Sequence, residues 1–225
     1  KSDLYSKLSL NDTKIYFEKG VEINLDEMNN KIYIKQIVSG AKTFLIDGTL
    51  KDTEIIYEGV NLENINQKLK PKGFPINEKG LTGCVSLINL KIERLKINAK
   101  NGSCEDLINF INSKGNVDLI EVTNSMSDAL DIDFSNLKIK NINIYKAEND
   151  CVDFSYGNYA IENLNLNNCG DKALSVGEKS KLILDEIIAS NSIIGIASKD
   201  SSSVSFKNGN FNNVDTCLAA YKKKQ

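Results

Sequence analysis

Apolar residues recur at a fixed interval along the second half of the chain. Ile108, Leu130, Val152, Leu174, Ile196 and Leu218 are each 22 positions apart. A second column runs Val117, Ile139, Ile161, Leu184 and Phe206, and a third runs Val122, Ile144, Leu166, Ala189 and Phe211. One extra residue enters these two columns after Ile161 and Leu166, and a turn absorbs it, because the next strand is back in phase. Within each row the apolar residues alternate with polar ones, as in LKIKNINI from Leu137 and DALDIDF from Asp128. Alternation at period two is the signature of a strand with one buried face. A helix would spread the same residues around its whole circumference. The strands are short and broken by Asn, Gly, Ser and Asp, which favour turns. A leucine-rich repeat has a related period, but its L-x-x-L-x-L frame is missing. The pattern predicts an all-β chain, a right-handed parallel β-helix (solenoid) with about 22 residues per coil and about three short strands in each. Equal positions of successive coils then stack at about 4.8 Å. Asn141, Asn143, Asn163, Asn165, Asn167 and Asn168 are expected at its corners.

The first part of the chain is less regular but of the same strand-like type. KIYF, VEINL, KIYIKQI, TFLI and EIIYEGV alternate with Gly20, Gly40, Gly48 and Gly59. LKIERLKINA from Leu90 matches LKIKNINIYKA from Leu137, so the helix begins before Leu90. Residues 61–82 hold both prolines and are expected to form a long loop, either functional or a tolerated insertion. The reading is a single β-helix domain over 1–225, with irregular coils in 1–103 and regular coils in 104–225. The last coil is cut at KKKQ, and its open edge is expected to be covered by further domains of a longer chain.

Composition narrows the functions. With 28 basic and 30 acidic residues the net charge is -2, which argues against a nucleic-acid surface. No apolar run approaches the roughly 18 residues of a membrane span. Histidine is absent, which removes every His-based triad, metal site or general base from this chain, and Arg94 is the one arginine. Cys84, Cys104, Cys151, Cys169 and Cys217 show no C-x-x-C. Most are expected to be small buried apolar residues, with a Cys84–Cys104 bridge left open. Asn11-Asp12-Thr13 and Asn101-Gly102-Ser103 match the glycosylation sequon.

The strand that opens each row is the place to look for chemistry. Leu130, Ile132 and Phe134 share one parity and are expected to point inward, leaving Asp131 and Asp133 outside. Equivalent outward places hold Asp153 and Ser155, then Ser175 and Gly177, then Ala197 and Lys199, then Ala219 and Tyr221. The place before them holds Leu107, Ala129, Cys151, Ala173, Gly195 and Cys217, read as the small-residue floor of a shallow outward groove. A linear polymer could lie along it. Asp131 and Asp153 would stand about 5 Å apart. Such a pair can share a proton, recruit Ca²⁺ through hard oxygens, or act as the carboxylates of a glycosidase. Asp106, Asp128 and Asp150 open their strands, where a carboxylate can instead satisfy corner N–H groups. Glu178 and Tyr221 are further substrate contacts, and Lys172 and Lys199 are the bases in phase with the acids.

The rows resemble the polygalacturonase group of β-helical glycoside hydrolases, within the pectate-lyase-like superfold. SDALDID from Ser127 stands where the family has NTDGIDI, NDCVDFS from Asn149 for DDCIAIK, DKALSVGE from Asp171 for GHGISIGS, and GIASK from Gly195 for GIRIK. The resemblance covers roughly residues 104–225 and implies Asp128, Asp150, Lys172 and Lys199 as catalytic residues. It departs from the family at Asn149, where the proton-donating acid would stand, at Lys172 in place of the motif His, and at Ala197 in place of the motif Arg. An amide cannot donate the proton that inverting hydrolysis requires. The resemblance therefore implies the fold and a sugar-polymer groove more than hydrolysis. The rows also look like an uncharacterised bacterial β-helix domain with the flavour GDKxxSVGE and GIASKD.

Three functions are expected in descending order. The first is a polysaccharide-binding β-helix module of a bacterial surface or secreted protein. The second is a carbohydrate-active enzyme, a lyase, epimerase or glycoside hydrolase, using the Asp/Lys ladder. The third is a structural spacer of a larger surface protein. Asp131, Asp153, Ser175, Glu178 and Tyr221 are the expected substrate contacts, and Asp131 and Asp153 the expected Ca²⁺ ligands.

Overall fold

The computed structural model describes residues 5–60 and 80–223. Among these there is no helix, and the chain winds as a β-solenoid of about eight turns. The first strands form hairpins. β1 (Tyr5–Leu10) pairs antiparallel with β2 (Thr13–Glu18), and β3 (Val21–Asp26) pairs antiparallel with β4 (Lys31–Gln36). β2 then lies antiparallel on β5 (Thr43–Ile46), and β4 parallel on β6 (Thr49–Glu58). The strands β1 to β4 thus pair as two hairpins ahead of the parallel coils.

From there every coil follows one plan, a short strand and then a long one that bends. The short strands are β7 (Gly83–Ile88), β9 (Asp106–Ile111), β11 (Asp128–Asp133) and β13 (Val152–Ser155). The long ones are β8 (Lys91–Gly102), β10 (Lys114–Ser125) and β12 (Asn136–Ala147). In β14 (Asn158–Gly177), β15 (Lys181–Lys199) and β16 (Ser203–Tyr221) the long strand runs on into the next short face without a break. All these strands stack in parallel. The registers reproduce the sequence columns. Ile108 lies on Leu130, Leu130 on Val152, Val152 on Leu174, Leu174 on Ile196 and Ile196 on Leu218. The extra residue enters at the Glu178–Lys179 turn, where both residues have positive φ, and a register shift after Cys169 restores the phase. The match between Leu90 and Leu137 is offset by two residues, since Ile92 and Leu137 share a column through Gly115. Gly115 itself has φ +128°, and a Cβ there would stand 2.0 Å from the Ile92 carbonyl oxygen.

The corners differ from the expectation in three ways. Phe134 does not point inward. It takes φ 50° at the strand end and is 54% exposed, stacked flat on Tyr156 one coil away with centroids 4.9 Å apart. The small-residue column is not an outward floor either. Leu107, Ala129, Cys151, Ala173 and Gly195 are buried, and Cys217 alone of that column is exposed. The chain is still rounding a corner there, so two consecutive residues, such as Ala129 and Leu130, both enter the core. Finally, Asn141, Asn143, Asn163, Asn165 and Asn167 lie within paired strands, and of the six expected at corners Asn168 alone has a positive φ. Asparagines do form ladders between coils. Asn112 donates to Asn89, Asn158 to Asn136, Asn163 to Asn141, and Asn213 to Asn191, all at 2.7–3.1 Å.

Two disulfides tie the coils, Cys84–Cys104 and Cys151–Cys169, and Cys217 is free. The expectation that most cysteines are unbridged is corrected. Each pair is formed across one coil, from its short face to the corner ending its long strand, a proximity that only the winding creates. The expected loop at 61–82 falls mostly outside the described residues. Gly80 to Thr82 lead into β7 without regular structure. No helix among the described residues is long and apolar enough to cross a membrane.

Candidate functional site

The outward positions of the short strands form one ladder along the solenoid. Ser86 pairs with Asn109, Asn109 with Asp131, Asp131 with Asp153, Asp153 with Ser175, and Ser175 with Ala197. Strand alternation places them here, because Ile108, Phe110, Leu130, Ile132, Val152 and Phe154 occupy the inward places and are fully buried. Asp131 and Asp153 are partly exposed, whereas Ser86, Asn109 and Ser175 are buried. Asn109 donates its Nδ2 to Asp131 Oδ2 at 3.0 Å. The hydrogen-bonding capacity of the ladder is not used up. Ser86 Oγ, Asn109 Oδ1, Asp153 Oδ1 and Ser175 Oγ have no partner at hydrogen-bonding distance.

A second column of acids opens the strands and does different work. Asp128 Oδ1 accepts from the Asp150 N–H at 2.9 Å and from Asn149 Nδ2 at 2.6 Å. Asp150 Oδ1 accepts from the Lys172 N–H at 3.0 Å. Each carboxylate therefore caps the strand of the next coil, satisfying an N–H that the corner would otherwise orphan. Lys172 Nζ binds Asp150 at 3.3 Å and also Asp171. Burial pulls the Lys172 ammonium down, but its bonds to Asp171 and Asp150 outweigh this and hold it above its usual range. A lysine base needs the reverse shift. Asp128, Asp150 and Lys172 are thus brought together as corner ties.

The ladder and the corner acids crowd one another. Burial pushes Asp106 up to about 7, opposed by a hydrogen bond with Thr82 and reinforced by the charges of Asp128, Glu105 and Asp133. Burial likewise lifts Asp128 to about 6, against the Asp150 N–H. Asp131 is held well above the ordinary carboxylate range, first by burial and then by Asp106, Asp133, Asp153 and Asp128. Burial raises Asp153 to about 6, opposed by Lys199 and by the neighbouring Ser175 hydroxyl, although no full hydrogen bond closes between Asp153 and Ser175.

Lys199 is 5% exposed and reaches back across Gly177 to place Nζ 3.7 Å from Asp153 Oδ2. It belongs to the column of Tyr221, its partner in β16. Glu178 accepts from the Ser155 hydroxyl at 2.6 Å at the edge of the face. Tyr221 is exposed at the end of β16, away from Asp131 by four coils of register. The structure thus gathers Asp131, Asp153, Ser175 and Lys199 on one face, sets Glu178 at its rim and leaves Tyr221 apart. The chain was compared with family models, with curated proteins and with solved structures. It matches none of them. The likeness to polygalacturonases rests on the motifs alone.

Asn109 and Ser86 are members of the ladder that the sequence reading passed over. Asn109 was within reach, lying 22 residues before Asp131. Lys42 was not, because it sits outside the repeat. Its buried Nζ donates to the Thr82 carbonyl at 3.2 Å, in the field of Glu18, Asp106 and Glu105. No group of three or more Asp, Glu or Cys among the described residues is arranged to hold a metal ion. A mixed-charge groove of about 390 Å³ lies elsewhere, on the bend of the long strands beside Arg94, Lys138 and Glu162. Of its lining, Arg94, Lys140, Asp118 and Asp185 are held in ion pairs, whereas the short-strand face keeps unused polar atoms. Phe134 and Tyr156 form an exposed stack at the corner that follows the short strands.

Proposed function

We propose that the protein binds polysaccharide along the short-strand face. The observation that carries this reading is the ladder Ser86, Asn109, Asp131, Asp153 and Ser175, which repeats polar groups along the solenoid axis and leaves several unpaired. A linear polymer laid along the axis meets an equivalent hydrogen-bonding group at every coil, about 4.8 Å apart. Asp131 and Asp153 are the partly exposed rungs, and their carboxyl groups can accept from a ligand's hydroxyls. The two disulfides favour an oxidising setting, in keeping with a secreted or surface protein. Co-sedimentation with insoluble polysaccharides and calorimetry with soluble oligosaccharides test the reading. Binding that is lost in Asp153→Ala with the fold intact is the expected result, and no binding to any glycan overturns it.

A second reading is that the same face is catalytic. The specific support is a group of carboxyls, Asp106, Asp128 and Asp153, lifted to about 6–7, where a carboxyl can exchange a proton near neutral pH. Asp131 and Asp153 are then the acid and base, while Asp128, Asp150 and Lys172 position the coil. Release of reducing ends, or of unsaturated uronate absorbance, with and without Ca²⁺, decides it. Silence across the panel leaves the binding module.

A further inference from the structure

We propose that Phe134 and Tyr156 form the apolar wall of the glycan site, and that this wall selects β-linked chains of gluco configuration. The wall rests on the carbohydrate-binding reading and adds to it a place on the face and a class of sugar. Asn89, Asn112, Phe134 and Tyr156 occupy one corner column. The N–H of each of the first three bonds, at 3.0 Å, to the carbonyl just before the next residue of the column. All four have left-handed φ, between 49° and 56°. Asparagine suits that conformation, and a bulky ring does not. Asn89 and Asn112 also join side chain to side chain at 2.8 Å. An asparagine ladder is thus the ordinary solution at this corner, and the chain abandons it in two consecutive coils.

Those two coils are the ones that carry the outward carboxyls. Asp131 stands three residues before Phe134, and Asp153 three before Tyr156. Asp131 and Asp153 pair in register, and the two rings stack with centroids 4.9 Å apart and planes within 4°. Parallel rings at that separation are offset, so each keeps part of its face uncovered. Phe134 is 54% exposed and Tyr156 47%, although Ile132 and Phe154 just before them are fully buried. Asp131, Asp133, Asp153 and Ser155 are all partly exposed. Each of the two coils therefore offers acceptors on the strand face and an aromatic ring at the corner that ends it. A pyranose uses both, because its equatorial hydroxyls radiate in the ring plane while its axial C–H bonds make the faces apolar. In a β-linked gluco chain every ring substituent is equatorial, and both faces are free to rest on an aromatic ring. The galacto configuration sets O4 axial and interrupts one face. Galacturonans belong to that second class, so the wall disfavours the polymer that the resemblance implies.

The test uses the full 225-residue chain. Cellohexaose and β-1,4-galactohexaose, two uncharged probes that differ only in configuration at C4, are titrated calorimetrically at neutral pH. Cellohexaose is expected to bind about tenfold more tightly. Phe134→Asn/Tyr156→Asn should weaken cellohexaose about tenfold. The same variant should melt at or above wild type, because asparagine is the residue this corner carries in the preceding coils. A stack that serves the fold alone predicts the reverse, a lower midpoint and unchanged binding. Phe134→Tyr/Tyr156→Phe keeps the wall and should keep the affinity. In the wild-type chain cellohexaose should also shift the ring-proton NMR signals of Phe134 and Tyr156, a readout that depends on no variant's folding. Unmoved ring signals, unchanged affinity in the asparagine variant, or equal or tighter binding of galactohexaose overturns the wall while leaving a glycan-binding face. So does binding of another polysaccharide when neither hexaose binds. Binding of no glycan in the wider panel removes the carbohydrate reading itself and the wall with it.

Discussion

Asp131 and Asp128 are both aspartates on the same strand, yet their surroundings give them opposite roles. Asp131 is mid-strand, caps nothing and is crowded by like charges. Asp128 closes a corner by accepting an N–H from the next coil. Asp128→Ala should orphan the Asp150 N–H and cost about 1–2 kcal/mol in denaturant unfolding, while Asp128→Asn, which keeps an acceptor, should cost much less. Asp131→Asn should instead stabilise the protein at pH 8, because it removes a charge that burial and four neighbours oppose. The group as a whole sets a pH dependence. Asp106, Asp128 and Asp153 titrate near 6–7 when folded, against 3.8 for an unperturbed aspartate. Between these values the folded chain holds protons that the unfolded chain has released, so stability falls as pH rises from about 4 to 7. The thermal midpoint should therefore be higher at pH 5 than at pH 8, and Asp131→Asn should flatten the difference. An equal midpoint at both pH values would contradict the raised carboxyls.

A single coil is held by its inward row and, in two places, by a bridge. Ile132 is fully buried between Phe110 and Phe154, its register partners in the coils on either side. Ile132→Ala should cost about 2–5 kcal/mol, since stacked strands on both sides cannot collapse into the cavity. The Cys151–Cys169 bridge closes a separation of 18 residues. A Cys151→Ala/Cys169→Ala pair should lose about 3 kcal/mol through the freed unfolded chain, seen as a lower denaturant midpoint. Inward alternation was legible in the sequence because a strand turns its side chain over at every residue. It failed where the chain rounds a corner, at Ala129 and Phe134, because a left-handed residue or a bend resets the parity. The bridges were hidden for a related reason, since their partners meet across the coil and not along it.

At the scale of the molecule, the solenoid is a stack in which each coil touches only its neighbours. Removing one whole period, Asp128 to Asn149, should leave a cooperative β-sheet melt, because Ile108 and Val152, in the coils on either side, both lie in register with Leu130 of the deleted coil. Removing half a period should abolish that melt, since every inward residue beyond the cut would meet the wrong face. The two ends differ. Hairpins close the N-terminal one, while in β16 Leu218 is 56% exposed although it continues the main apolar column.

The 22-residue columns alone determined the strand type, the parallel stacking, the coil length and the phase of Asp131, Asp153, Ser175 and Lys199, because a periodic core must repeat its apolar contacts at each turn. What no column contains was decided by the tertiary structure. It set Lys42 against Glu18 and Asp106, joined Cys151 to Cys169, and assigned Asp128 and Asp150 to the corners. It also left the Asn109 oxygen unpaired beside Asp131. Period fixes which residues stack, but hydrogen bonding and charge depend on where the corners bend and on residues outside the repeat. Those are set only when the chain is wound.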